Sequence, residues 1–251
     1  MTMQPYVPPS LSVPPAQQQA IARAQAFTPA DVGNITEGEV RAMMDAARER
    51  AKTAQAKERD ALLIATLFDA SLRVAEVVGL DAATAEKLAE YELQRAKRRN
   101  PKAKARSRTV CPGIRPCDLA RTATGWSVRI LGKGNKPRDV AMSASLVAQL
   151  QAYAYQHQVA PDARLFPITR QRAWQIVKAA MDRAGVVKPF FVGSVHVLRH
   201  SGAIDLLDHT GNPQAVQDQL GHATPAMTLR YMRTLRKRRS LEINQQVDRK
   251  W

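Results

Sequence analysis

Cysteine is nearly absent. The two present in 251 residues, Cys111 and Cys117, are separated by Pro-Gly-Ile-Arg-Pro. That is not the spacing of a zinc half-site, and no second Cys/His pair lies close by. No metal or redox centre is therefore expected, and free thiols suit a reducing compartment. Long apolar runs are missing too, so nothing reads as a membrane span. The opening MTMQPYVPPS has no basic segment followed by an apolar one, which argues for a cytoplasmic protein with no membrane partner. Acid is also scarce: 22 Asp and Glu face 38 Lys and Arg, giving a net charge of +16 and a pI near 10.4. Such a surplus calls for a polyanionic partner, of which nucleic acid is the usual one, although ribosomal-type and membrane-surface proteins share it. The length suffices for one large domain or two small ones with an ample core.

Residues 1–34 carry Pro5, Pro8, Pro9, Pro14 and Pro15 with Gln17 to Gln19, a composition that buries little surface and reads as a flexible arm. Thr36-Glu37-Gly38-Glu39 is a capping box ahead of Val40, Met43, Met44 and Ala47, predicting a helix to about Lys52. A more apolar helix follows from about Ala56 to Phe68. Residues 82–115 begin as a helix and turn into a run holding Arg95, Lys97, Arg98, Arg99, Lys102, Lys104, Arg106 and Arg108 with no acid among them. Charge runs are usually solvated faces. Here DNA contact is the favoured reading, and each phosphate so neutralised would make binding more salt-sensitive. Trp126 to Leu131 alternates as a strand, Gly132-Lys133-Gly134-Asn135-Lys136 turns, and Arg138 to Met142 returns. Two amphipathic helices are expected from Ser145 to about Tyr155 and from Thr169 to about Ala184.

The stretch from His196 to Tyr231 concentrates the chemistry. His196, Arg199, His200 and His222 can bind or protonate a phosphate oxygen, and Tyr231 can attack one. A helix over about Val195 to His209 puts Val195, Leu198, Gly202, Ala203, Leu206 and Leu207 on one face, with Arg199 inside that apolar arc. An arginine there must snorkel, pair with a carboxylate, or hold an anion at the mouth of a cleft. Its planar fork matches two oxygens of one phosphate. Gly211-Asn212-Pro213 breaks the helix, Leu220-Gly221-His222 ends the next one, and Thr224-Pro225 starts another that carries Tyr231.

This H-x-x-R-H … L-G-H … Y arrangement resembles the tyrosine recombinase, or phage-type integrase, family, whose usual spacing is matched by the nine residues from His222 to Tyr231. The segment from Ala70 to Leu80 resembles the family's first arginine box, and G-K-G-N-K-x-R its β-hairpin lysine motif. The resemblance implies an α+β, mainly α, catalytic domain with a small antiparallel sheet or hairpin over residues 35–240, and a tail at 241–251 that can exchange between subunits. It implies that Arg73, Lys133, His196, Arg199, His222 and the nucleophile Tyr231 are catalytic, with Glu76 and His200 in support. Lys136 and Arg138 join the basic insertion as expected DNA contacts. The implied activity is site-specific recombination of double-stranded DNA through a 3′-phosphotyrosyl intermediate and a Holliday junction. No metal, ATP or other cofactor is implied. The expected assembly is a homotetramer on paired sites, with or without DNA-bending accessory proteins, serving bacterial, phage or plasmid DNA. Relatives commonly carry a separate N-terminal helical domain, whereas residues 1–34 are too short for one, so a compact member of the family is expected. A type IB topoisomerase and a DNA-binding regulator that keeps the fold without the reaction are the alternatives.

Overall fold

The first two helices follow their caps. In the computed structural model, which describes residues 34–105, 108, 110–132, 136–187, 193–222, 228, 231 and 235, α1 spans Glu37–Arg50 and α2 spans Ala54–Asp69. The Thr36 hydroxyl accepts from the Glu39 backbone while the Glu39 carboxylate accepts from the Thr36 N–H, the reciprocal pair that satisfies two orphan donors. Helix α2 buries nearly every apolar side chain it owns, including Leu62, Leu63, Ile64 and Leu67. It packs on α1, on α5 (Ala144–Gln156) and on α7 (Ser194–Thr210), and so runs through the middle of the core. Helix α6 (Arg170–Arg183) closes the other side against α1 and α7, with Ile176, Val177 and Ala180 buried.

After α2 come the five-residue helix α3 (Val74–Val78) and α4 (Ala82–Lys97). Helix α4 begins at Asp81, whose carboxylate accepts from the Thr84 N–H, and buries Ala85 alone. The base of the excursion is pinned by an antiparallel bridge in which Leu80 and Cys111 exchange backbone hydrogen bonds of 2.8 and 3.0 Å. Farther out, Arg108 pairs with Glu92. Arg95, Lys97, Arg98, Arg99, Lys102 and Lys104 are all exposed. Neither cysteine is in a disulfide.

The sheet has three antiparallel strands, β1 (Leu119–Arg121), β2 (Trp126–Leu131) and β3 (Pro137–Met142), with β2 central. The hairpin expected from alternation is β2–β3, paired from Trp126↔Met142 to Leu131↔Pro137. Strand β1, three residues long, is too short to show a period and is held by pairing with β2. Helix α8 (Pro213–Leu220) is capped by Asn212, and Gly211 and Gly221 both adopt the left-handed conformation that ends α7 and α8. Ala203, Ile204, Leu207, Val216, Leu220, Tyr231 and Leu235 form a second, smaller core. Thr228, Tyr231 and Leu235 are helical and buried, so the tyrosine is anchored to α7 and α8 by its own burial. Among the described residues no helix is long and apolar enough to cross a membrane. Residues 1–33 and 236–251, on which the expectations for an arm and a tail fall, lie outside the described residues.

Candidate functional site

The site is assembled around a buried carboxylate. Glu76 sits in the first turn of α3, 5% exposed, and its Oε2 caps the Arg73 N–H at 2.8 Å. Arg73 Nη1 also donates to Oε1 at 3.0 Å, while about a third of the Arg73 side chain stays open to solvent. The spacing that would ordinarily mean a helical ion pair is thus a cap at the helix mouth. Burial pushes the Glu76 carboxyl up, but the charge of Arg138 and the Arg73 backbone and side chain outweigh that and hold it below the usual range.

Arg199 comes from the middle of α7 and is 3% exposed. Its guanidinium donates to two backbone carbonyls, Ser71 at 2.6 Å and Leu220 at 2.8 Å, and lies 3.8 Å from Glu76. Of the three outcomes expected for an arginine in that arc, the protein shows proximity to a carboxylate, and it adds one that was not expected, satisfaction by backbone carbonyls. Ser71, with φ of +50°, stands in the left-handed region that few non-glycine residues adopt, and its carbonyl is the one Arg199 takes. Burial first, then the Arg73 charge, brings Arg199 down to about 10, still cationic at neutral pH.

Two imidazoles lie against the phenol. The Tyr231 ring is 5.1 Å from His200 and 6.1 Å from His222, nearly parallel to the latter at 14°. His222 Nδ1 is 3.2 Å from the buried Thr228 hydroxyl. Burial, followed by the charges of Arg199, Arg73 and Arg138, depresses His222 to about 4, so it is neutral at pH 7. His196, on the first turn of α7, keeps an exposed edge, yet desolvation and then Arg199 and Arg73 lower it also. Two cationic forks, the neutral His222 and a phenol therefore lie close together, with His196 near enough to feel both arginine charges, a set suited to gripping an anionic tetrahedral centre beside a nucleophile.

The structure brings Arg73, Glu76, His196, Arg199, His200, His222 and Tyr231 together. Lys133 and Arg106 lie outside the described residues. Lys136 is exposed on the hairpin. Arg138 departs from the expectation of a DNA contact: its fork turns inward and donates to both Glu76 oxygens, at 3.1 and 3.3 Å. The physical reason is that a buried carboxylate needs a counter-charge more than the solvated surface does.

Sequence reasoning missed Gln219. Its amide mimics a strand partner, accepting from the Ala141 N–H at 3.1 Å and donating to the Ala141 carbonyl at 2.9 Å, which fixes α8 and hence Gly221-His222 to the edge of β3. Nothing local in the sequence marks that role.

The Phage integrase family profile matches residues 119–238, a stretch that holds Lys133, His196, Arg199, His222 and Tyr231. Over this stretch, just under half of its length, the chain is similar to the tyrosine recombinase family. Among its relatives, the tyrosine recombinase XerD of Shewanella oneidensis is 34% identical over 130 residues, 47% of this chain and 42% of that protein. XerD of Mycobacterium tuberculosis is 35% identical over 119 residues, 42% of this chain and 37% of that protein. The chain spans less than half the length of these relatives. Similar solved structures include the XerH site-specific recombinase in a post-cleavage complex with its palindromic difH substrate, at TM-score 0.58 and 18% identity, covering 85% of this chain and 52% of that one. The catalytic domain of bacteriophage HP1 integrase has TM-score 0.50 and 16% identity, covering 84% of this chain and 94% of that domain. At these identities the likeness is one of fold, a tyrosine recombinase catalytic domain. Arg73 and Glu76 precede the matched stretch, and it is the tertiary structure that joins them to it.

Proposed function

We propose that this chain is a site-specific DNA recombinase that cleaves and rejoins double-stranded DNA through Tyr231. The observation that carries the reading is the buried Tyr231 ring packed against His200 and His222 in the same site as Arg73 and Arg199, residues drawn from separate parts of the chain. A phosphodiester resists a neutral phenol, so charge on the non-bridging oxygens must be met by preorganised donors, and loss of one such donor typically costs about 10²–10³ in rate. Arg73 and Arg199 take the non-bridging oxygens, with His222 hydrogen-bonding beside them. Neutral His196 accepts the phenolic proton as the Tyr231 oxygen bonds to phosphorus. The bond from phosphorus to the 5′ oxygen breaks, and Lys133 gives that oxygen its proton. The product is a 3′-phosphotyrosyl link that conserves the ester, so that neither ATP nor metal is called for. A 5′-hydroxyl of a partner strand reverses the step and reseals the backbone.

Exchange needs two duplexes, so the working assembly is a homotetramer on paired sites passing through a Holliday junction. The exposed basic residues from Arg95 to Lys104 supply sequence-independent grip on phosphates. The test is incubation of the wild type and Tyr231→Phe with labelled DNA from the region flanking its own gene, nicked suicide substrates included, without added metal, followed by a denaturing gel. A covalent adduct in the wild type alone supports the reading. Binding with no adduct on any substrate would refute it and leave a DNA-binding regulator.

A further inference from the structure

Resting on that reading, we infer that Arg138 is a positioning residue: it occupies the Glu76 carboxylate so that Arg73 and Arg199 stay available to the scissile phosphate. The argument starts from competition. Glu76 is a buried anion with three guanidiniums around it, and the two that face the site would both gain by closing on it. Arg138 prevents this by geometry, setting Nη1 on Oε1 and Nη2 on Oε2 so that its fork spans both oxygens. Arg199 is left 3.8 Å away, its bonds made to carbonyls instead, and Arg73 keeps a single side-chain contact with Oε1. One anion against three cations leaves two positive charges uncompensated, the charge a phosphate would meet.

The slot for Arg138 is built. A Cβ on Gly132, at the start of the hairpin turn, would lie 2.6 Å from Arg138 Nη1, and one on Gly221 would lie 3.0 to 3.1 Å from its Nε, Cδ and Cζ. Arg138 is thus wedged between two glycines, with its side chain 17% exposed, and Gly221 directly precedes His222. One side chain links the hairpin, the helix-mouth carboxylate and the end of α8.

The test compares full-length wild type, R138Q, R138K, E76Q and the R138Q/E76Q double variant in single-turnover adduct formation, with either a phosphodiester or an uncharged methylphosphonate at the scissile position. R138Q should slow phosphodiester cleavage by about 10-fold or more, since it weakens donors rather than deleting one. The loss should shrink on methylphosphonate, where there is no charge for the arginines to meet. R138K, which keeps the charge without the fork, should fall between the wild type and R138Q. Removing the competing anion in R138Q/E76Q should recover rate relative to R138Q, and this variant, with no unpaired buried carboxylate, covers the case in which R138Q fails to fold. Equal losses on both substrates, or a double variant slower than R138Q, would overturn the assignment. Titration with inorganic phosphate, followed at the His222 ring signals, tests it without cleavage. R138Q should bind phosphate more weakly and the double variant should recover; unchanged binding would overturn the assignment even if the wild type forms no adduct and the recombinase reading itself falls.

Discussion

Gly202→Ala should force α7 away from α2 and take the site apart with it. Gly202 lies where α7 crosses the end of α2, and a Cβ placed there would meet the Phe68 carbonyl oxygen at 2.0 Å and the Ser71 hydroxyl at 2.7 Å. Ordinary contact begins near 3.4 Å, so the helices must part by about 1.4 Å. The obstruction is backbone at a helix end and cannot rotate away, which puts the cost at the upper end of the overpacking range, about 3 kcal/mol. For a domain of this size that lowers Tm by roughly 6–12 °C. The same movement carries Arg199 away from the Ser71 carbonyl it now holds at 2.6 Å. A misplacement of that order costs about 10²-fold in rate. Gly38→Ala is the control, because that glycine is exposed within α1 with nothing nearer than 4.0 Å, and alanine there should raise stability by up to about 1 kcal/mol. Thermal melts followed by circular dichroism, paired with adduct formation on one substrate, decide the matter. A Gly202→Ala protein that melts with the wild type and cleaves at the same rate would refute the reasoning.

Three further outcomes are expected. Arg199→Ala leaves the Ser71 and Leu220 carbonyls unsatisfied in the core and should cost about 2–3 kcal/mol in urea unfolding as well as about 10²-fold or more in adduct formation; wild-type stability would show that the two hydrogen bonds carry little. His222, depressed to about 4, should remain neutral at pH 6 when its ring signals are titrated by NMR in the free protein. Because the unfolded chain takes up this proton near 6.5 and the folded one only near 4, the group subtracts stability as pH falls through that window; an inflection near 6.5 in the folded protein would contradict the burial argument. Replacing the exposed Arg98, Arg99, Lys102 and Lys104 together by alanine should leave Tm unchanged and flatten the dependence of log affinity for DNA on log salt by up to ~3–4 in slope; an unchanged slope would mean that the insertion does not touch phosphate.

Local signals carried far in this chain. The Thr36–Glu39 box, the Gly211-Asn212-Pro213 break and the helix end at Gly221 each depend on residues a few positions apart, and each formed where the sequence placed it. Helix α7 is less one-sided than its expected apolar face: Val197, His200, Ser201 and Ile204 are buried along with Val195, Leu198, Gly202, Ala203 and Leu207, while Leu206 is only partly buried. Of the residues in the motif strings, Arg73, Glu76, His196, Arg199, His200, His222 and Tyr231 lie near one another, whereas Lys133 lies outside the described residues. Strand β1 fell below this resolution, since three residues show no alternation.

Short-range patterns thus account for the hairpin and for every helix described except the five-residue α3. What the tertiary structure alone decided is which partner each charged group takes. Arg138 and Glu76 are 62 residues apart, Arg199 and Ser71 are 128, and Gln219 reaches back 78 to Ala141. No period or cap reports such a pairing, because it depends on where two surfaces meet after the core has packed and on which buried charge would otherwise stand alone. The inward turn of Arg138, and the exclusion of a single methyl group at Gly202, both follow from that packing.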